Sequence, residues 1–154
     1  TAVYNRSAII RLINQALSTN PAALILLDID HFKRINDEYG HPKGDEVICA
    51  LIARIRDALP PCAQVGRVGG EEFTILLQGH ETEQVAPVAH AIHRALNAAP
   101  LGVLPGRLVT ASIGVSWGER HSPFETLYHA ADCALYLAKK QGRNRVALHT
   151  SLSG

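Results

Sequence analysis

The 154-residue chain has no methionine and a single tryptophan, and aromatic side chains make up only 5% of it. Any core must therefore be aliphatic. Charge of one sign is also missing. The formal net charge is +1, which excludes a bulk electrostatic pull toward nucleic acid or an acidic membrane but leaves room for a local basic pocket. Long apolar runs are absent too: a stretch such as Val47 to Ala53 is far too short to span a bilayer, so no direct membrane contact is expected. Cysteine is sparse. Cys49, Cys62 and Cys133 are scattered, odd in number and not in metal spacing, which fits idle thiols in a reducing cytoplasm rather than a disulfide framework or a zinc site. His80, His90, His93, His121 and His129 form no metal-spaced set either. There is no internal repeat and no low-complexity segment. The sequence starts at Thr1, as a fragment of a longer protein would, one that could be membrane-tethered through its missing part.

What is present is globular. Apolar residues make up 47% and charged residues 19%, enough for one domain with a sizeable core. Ile9, Ile10, Ile13 and Leu17 recur at helical spacing over residues 6–18, and Asn20-Pro21 stops that helix. Residues 22–29 (AALILLDI) read as a buried strand and residues 30–41 as a polar stretch. A helix is expected from Asp45 to Leu59, ended by Pro60-Pro61. Residues 63–68 and 72–78 read as two strands of a hairpin around Gly69-Gly70. A helix over 81–98, a strand over 108–117, a helix over 123–140 and a short strand over 145–149 complete the chain. The fold class is α+β. Its middle has the βαββαβ order of a ferredoxin-like core, with extra helices and a short C-terminal strand.

Two acidic pairs carry the chemistry. Asp28 and Asp30 end the first strand, and alternation turns both to one side. Glu71 and Glu72 lie in the hairpin turn. In a ferredoxin-like sheet that hairpin neighbours the first strand, so the pairs can meet. Clustered carboxylates repel unless a cation lies between them. Hard oxygen ligands suit magnesium or manganese, ions that clamp phosphoryl oxygens in displacement reactions. Taken singly, Asp28 and Asp30 fit strand-end capping better than chemistry, and Gly-Gly-Glu-Glu fits a plain exposed hairpin turn better.

Jointly, LDIDHFKRINDEYGHPKGDE (residues 27–46) and RVGGEEF (residues 67–73) closely resemble the GGDEF family of diguanylate cyclases. YNR (4–6), TASIGV (110–115) and ADCALYLAKKQGRN (131–144) resemble its other signatures, so the resemblance covers nearly the whole chain. It implies a Mg2+-dependent enzyme, with Mn2+ as an alternative, that condenses two GTP into cyclic di-GMP as a homodimer. A missing N-terminal sensory or dimerisation region would hold the dimer together. It further implies that Asp28, the Ile29 carbonyl and Glu71 bind metal and that Glu71 or Glu72 is the catalytic base. The backbone amides of His31, Phe32 and Lys33, together with Lys139 and Arg143, would hold the GTP phosphates. Asn36 and Asp45 would read guanine, a carboxylate accepting from the two adjacent N–H groups of guanine, which adenine does not offer. Arg67, Gly40, His41, Gly114 and Asn144 are expected to shape turns around the site.

The chain departs from the family pattern at two points. Where many members carry an inhibitory, product-binding RxxD, this chain has Pro60-Pro61-Cys62-Ala63, so no such site is expected. Ala2 and Val3 stand where the family usually has Gly and Leu. Three other readings compete: a silent GTP-binding regulatory domain, a different nucleotidyl transferase on the same plan, and a purely structural module.

Overall fold

A computed structural model describes residues 3–149, with the side chains of His80 and Glu81 outside the description. The Ala2 departure and the tail Ser151-Leu152-Ser153-Gly154 also lie outside the described residues.

Helix α1 (Arg6–Thr19) starts where the Asn5 side chain accepts a hydrogen bond from the Ala8 N–H at 2.8 Å, a cap that satisfies one orphan donor. It buries Ile9, Ile13, Ala16 and Leu17. Strand β1 (Ala22–Ile29) is buried along its full length, as a central strand covered on both faces must be. The polar stretch after it is not a loop. It forms α2 (Phe32–Tyr39), anchored by Phe32 and Ile35 alone. Gly40, at φ 89°, then turns the chain into α3 (His41–Arg56), with Pro42 in its first turn. The expected Asp45–Leu59 helix thus begins a turn earlier and ends at Arg56, where Ala58 and Leu59 close tight turns.

Strands β2 (Gln64–Arg67) and β3 (Glu72–Gln78) form the expected hairpin. The next expected helix is split: a 3-10 turn over Gly79–Gln84 precedes α4 (Val85–Ala98). Strand β4 (Ala111–Gly118) begins later than expected, because Leu108 is exposed and the Thr110 carbonyl accepts from the Asp30 N–H beyond the ladder. Helix α5 (Phe124–Lys140) and strand β5 (Val146–Leu148) complete the order.

The sheet order is β2-β3-β1-β4-β5. All neighbours are antiparallel except β4 and β5. Within it, the βαββαβ unit with order β2-β3-β1-β4 is the ferredoxin-like arrangement. Alternation along β1 divides the core. Ala23, Ile25, Leu27 and Ile29 pack under α2, α3 and α4, and Ala22, Leu24 and Leu26 pack under α1 and α5. Burial of this aliphatic area, at about 25 cal/mol per Å2, is the main stabilising term.

Contact between β4 and α5 is unusually close at Gly114. A Cβ there would lie 2.3 Å from the Leu135 nitrogen and 2.4 Å from the Ala131 oxygen, both backbone atoms that cannot swing aside. Gly114→Ala is expected to cost about 3 kcal/mol in urea unfolding. Gly102→Ala, which would meet nothing within 4 Å, should leave stability within about 0.5 kcal/mol. Equal effects of the two would contradict this packing.

Candidate active site

The ladder register brings the two acidic pairs together. Asp28 lies opposite Glu72 on β3 and opposite Ser112 on β4, and the Ile29 N–H donates to the Glu71 carbonyl at 3.1 Å. Asp28 and Asp30 are 8% and 7% exposed, so each needs compensating partners. Their partners differ. Asp28 Oδ2 accepts from Lys139 Nζ at 2.5 Å. Asp30 accepts from Thr110 Oγ1 (2.7 Å), Ser112 Oγ (2.6 Å) and the Asn144 N–H (3.0 Å). Three neutral donors occupy Asp30 and make it a tie between loops. Asp28, held by a flexible cation, can exchange that partner.

The hairpin turn is fixed from below. The Val68 and Gly69 N–H groups donate to the Glu72 carbonyl at 2.9 and 3.3 Å. The Arg67 guanidinium donates to the Gly69 carbonyl at 3.3 Å and to the Gly70 carbonyl at 3.1 and 2.5 Å, while stacking 5.8 Å from the Phe73 ring. Arg67 therefore shapes the turn, as expected. Burial pushes the Glu72 carboxyl above its usual range. The charges of Asp28, Asp132 and Glu71 add to the rise, and Lys139 opposes it. Burial also raises the Tyr128 hydroxyl, with Glu72 and Asp132 adding and Arg6 opposing. Negative charge is thus in excess here.

A cleft of about 210 Å3 opens over this cluster. Asp28, Ile29, Asp30 and Glu71 form one wall, His31, Phe32 and Lys33 a second, and Lys139 and Arg143 a third. His31, at φ 55°, precedes α2, whose first N–H groups have no helical acceptor. The second wall is therefore a helix N-terminus, which favours anions. Lys33 pairs with Asp37 at 3.1 Å on its own helix, with both side chains well exposed, so the pair is weak and breaks readily. Lys139 and Arg143 do not form a helical i, i+4 pair: α5 ends at Lys140 and Arg143 follows in left-handed backbone, φ 64°. Both still reach the cleft.

Asn36 and Asp45 are not among the residues lining this cleft. Asn36 Oδ1 is buried without a hydrogen-bond partner and packs on Gly44, where a Cβ would come within 1.9 Å of it. Asp45 is exposed in the next turn and lines a separate hollow with Glu46, Cys49, Ala50 and Val103. A buried amide oxygen without a donor invites one from outside the protein.

Two residues of the surroundings escaped the sequence reading. His93 Nε2 lies 2.9 Å from the Asn144 carbonyl, and Asn97 and Asn144 exchange side-chain amide bonds at 2.9 and 3.0 Å. Both come from α4 and reach the loop after α5, a contact that no local spacing announces.

Among the described residues, no three His, Cys, Asp or Glu side chains form a ready metal cage. The donor set nevertheless fits a hard cation. Magnesium takes one or two carboxylates, and water and substrate phosphates fill its other positions. Asp28 and Glu71, which both line the cleft, would supply that minimum.

Sheet order, a carboxylate cluster at the end of β1 and a facing helix N-terminus define a palm-like α+β domain. The family model described as "Diguanylate cyclase, GGDEF domain" matches residues 1–145, and the chain belongs to this family. It is 39% identical over 125 residues to the probable diguanylate cyclase DgcC of Escherichia coli (strain K12), covering 80% of this chain and 34% of that protein. It is 41% identical over 124 residues to diguanylate cyclase DgcM of the same strain, covering 80% and 30%. The chain thus spans about a third of the length of these curated relatives. Among solved structures, the active GGEEF domain of a diguanylate cyclase from Vibrio cholerae superposes with a TM-score of 0.88 at 32% identity, over 97% of this chain and 99% of that one. The GGDEF domain of DgcB from Caulobacter crescentus, in complex with c-di-GMP, gives 0.88 at 30% identity, over 98% and 94%.

The charge cluster makes a signed prediction. Asp28→Asn removes a repulsion and should lower the Glu72 pKa, whereas Lys139→Met removes an attraction and should raise it. NMR titration of the Glu72 carboxyl carbon reads both. No change in either variant would contradict the clustering.

Proposed function

We propose that this domain is a diguanylate cyclase that joins two GTP molecules into cyclic di-GMP and releases two pyrophosphates. The carrying observation is the convergence, on one cleft, of the Asp28 and Glu71 carboxylates with the α2 N-terminus, Lys139 and Arg143. Few ligands other than a metal-bound polyphosphate want all of these at once.

Asp28, the Ile29 carbonyl and Glu71 would hold Mg2+, or Mn2+ in its place. When bound, the ion neutralises the triphosphate and lowers the pKa of an attacking hydroxyl. The N–H groups of His31, Phe32 and Lys33 bind the β- and γ-phosphates, and Lys139 and Arg143 add charge-assisted bonds. Asn36 and Asp45 read the guanine edge. A donor from the base would satisfy the orphaned Asn36 oxygen, and a base without a donor there would leave it unpaired. The 3′-hydroxyl of one GTP attacks the α-phosphorus of the other, its proton passing to a carboxylate of the Glu71–Glu72 pair, and the pyrophosphate leaves. Repetition closes the ring. Each domain presents one GTP, so two copies must face each other, and positioning supplies much of the rate.

No product inhibition through an RxxD site is expected of this domain. Pro60-Pro61-Cys62-Ala63 forms a tight turn closed by the Ala63 N–H to the Pro60 carbonyl at 3.1 Å, with no charged side chain.

With GTP and magnesium, the domain should form cyclic di-GMP at a rate that rises steeply with protein concentration. Glu71→Ala and Glu72→Ala should each lower turnover at least about 100-fold. Silence even when the domain is fused to a dimeric coiled coil would overturn the enzyme reading in favour of a GTP-binding regulator. Added cyclic di-GMP should leave the rate of the fused dimer nearly unchanged, and strong noncompetitive inhibition would refute the missing product site. Asp45→Ala should weaken GTP binding about tenfold and narrow its lead over ATP.

A further inference from the structure

We propose that α4 positions the cleft arginine: His93 and Asn97 clamp Asn144, and Asn144 holds Arg143 where it faces the cleft. The inference rests on the phosphate-binding reading of that cleft.

The turn after α5 is costly by itself. Gly142, Arg143 and Asn144 have φ of 122°, 64° and 48° in succession. Two of the three are not glycine, and left-handed backbone at such residues persists only where the surroundings over-determine it. The surroundings do so through Asn144, whose four polar atoms are all engaged. Its N–H donates to Asp30 Oδ2 at 3.0 Å. Its carbonyl accepts from His93 Nε2 at 2.9 Å, which requires the tautomer with the proton on Nε2, since a carbonyl only accepts. Its side-chain amide gives and takes one bond each with Asn97, at 3.0 and 2.9 Å. Asn97 is itself oriented by a bond from Nδ2 to the His93 carbonyl at 2.9 Å.

Arg143, one residue earlier, is tied through its N–H to the Ala138 carbonyl at 3.0 Å and lines the cleft. Asp30, at the other end of the network, is two residues from Asp28. The clamp therefore references the arginine to the same strand end that carries the carboxylates. Helix α4 contributes no lining residue to the cleft, so His93 and Asn97 act by positioning.

The test uses the intact domain with four variants: Asn97→Ala, His93→Ala, His93→Gln and Asn144→Gly. Two readouts are needed, hydrogen exchange at the amides of residues 142–145 and affinity for two probes. The probes are a GTP analogue with a non-cleavable α–β bridge and GMP, both with magnesium. Asn97→Ala and His93→Ala should speed exchange in that loop and weaken the GTP analogue about tenfold, with GMP affinity held within about twofold. His93→Gln, which keeps a donor for the Asn144 carbonyl, should restore most of the loss. Asn144→Gly relieves the backbone cost but lacks the amide, and should behave like Asn97→Ala. Unchanged exchange and affinity in Asn97→Ala and His93→Ala would overturn the clamp, as would equal losses of both nucleotides. If the wild-type domain binds neither nucleotide, the phosphate-binding reading fails, and the exchange rates alone decide whether the clamp exists.

Discussion

Pairing of β1 with β3 in the register that sets Asp28 opposite Glu72 is the constraint on which the rest of the structure turns. It places two carboxylates side by side at the end of a buried strand, where desolvation and the Asp28 charge push the Glu72 carboxyl above its usual range. The fold answers with a cation from another element. Lys139 reaches Asp28 from the last turn of α5, and it can do so only because α5 lies very close to the sheet. That closeness is built from small residues: Gly114 on β4, and Ala131, Ala134 and Ala138 on α5, all buried. The charge arrangement at the strand end and the choice of small residues some distance away are one design. Breaking a buried pair by removing one partner is generally more costly than never having had it. Asp28 and Lys139 are therefore expected to depend on each other in stability as well as in chemistry.

The two acids of the strand end look alike in sequence and have separate tasks in the structure. Asp30 is saturated by Thr110, Ser112 and Asn144 and ties three segments together. Asp28 has a single exchangeable cation. Hydrogen bonds from neutral, fixed donors make a carboxylate a structural joint, while pairing with a long flexible lysine leaves it open to replacement by a metal ion. Family membership follows from the match over residues 1–145, and the division of labour between these acids supplies its physical content.

Much of this was legible in the sequence. The unbroken apolar run of β1 has one natural home, a central strand covered on both faces. The order of elements around it led directly to the observed ferredoxin-like sheet. The strand-end acids and the hairpin glutamates came together because topology makes their strands neighbours. Helix α2 was read only as a polar stretch because two buried residues, Phe32 and Ile35, are too few to set a periodicity, and tertiary burial decides its conformation. The start of α3 was misplaced because Gly40 and Pro42 look like breakers when they in fact begin the helix. The roles of His93 and Asn97 were hidden because their partner lies about fifty positions away, and no spacing rule reaches that far. Asn36 and Asp45 were legible as positions, yet they stand apart from the cleft, and the orphaned Asn36 oxygen became visible only in the folded chain.

In the proposed function, the β1 end and the hairpin turn together form a cation site beside a polyphosphate wall. Titration of Mn2+ followed by electron paramagnetic resonance, with a non-cleavable GTP analogue present, tests it most directly. Binding should be saturable, lost in both Asp28→Ala and Glu71→Ala, and retained in Asp37→Ala, whose carboxylate is exposed on α2. Mn2+ binding that survives in either of the first two variants would contradict it.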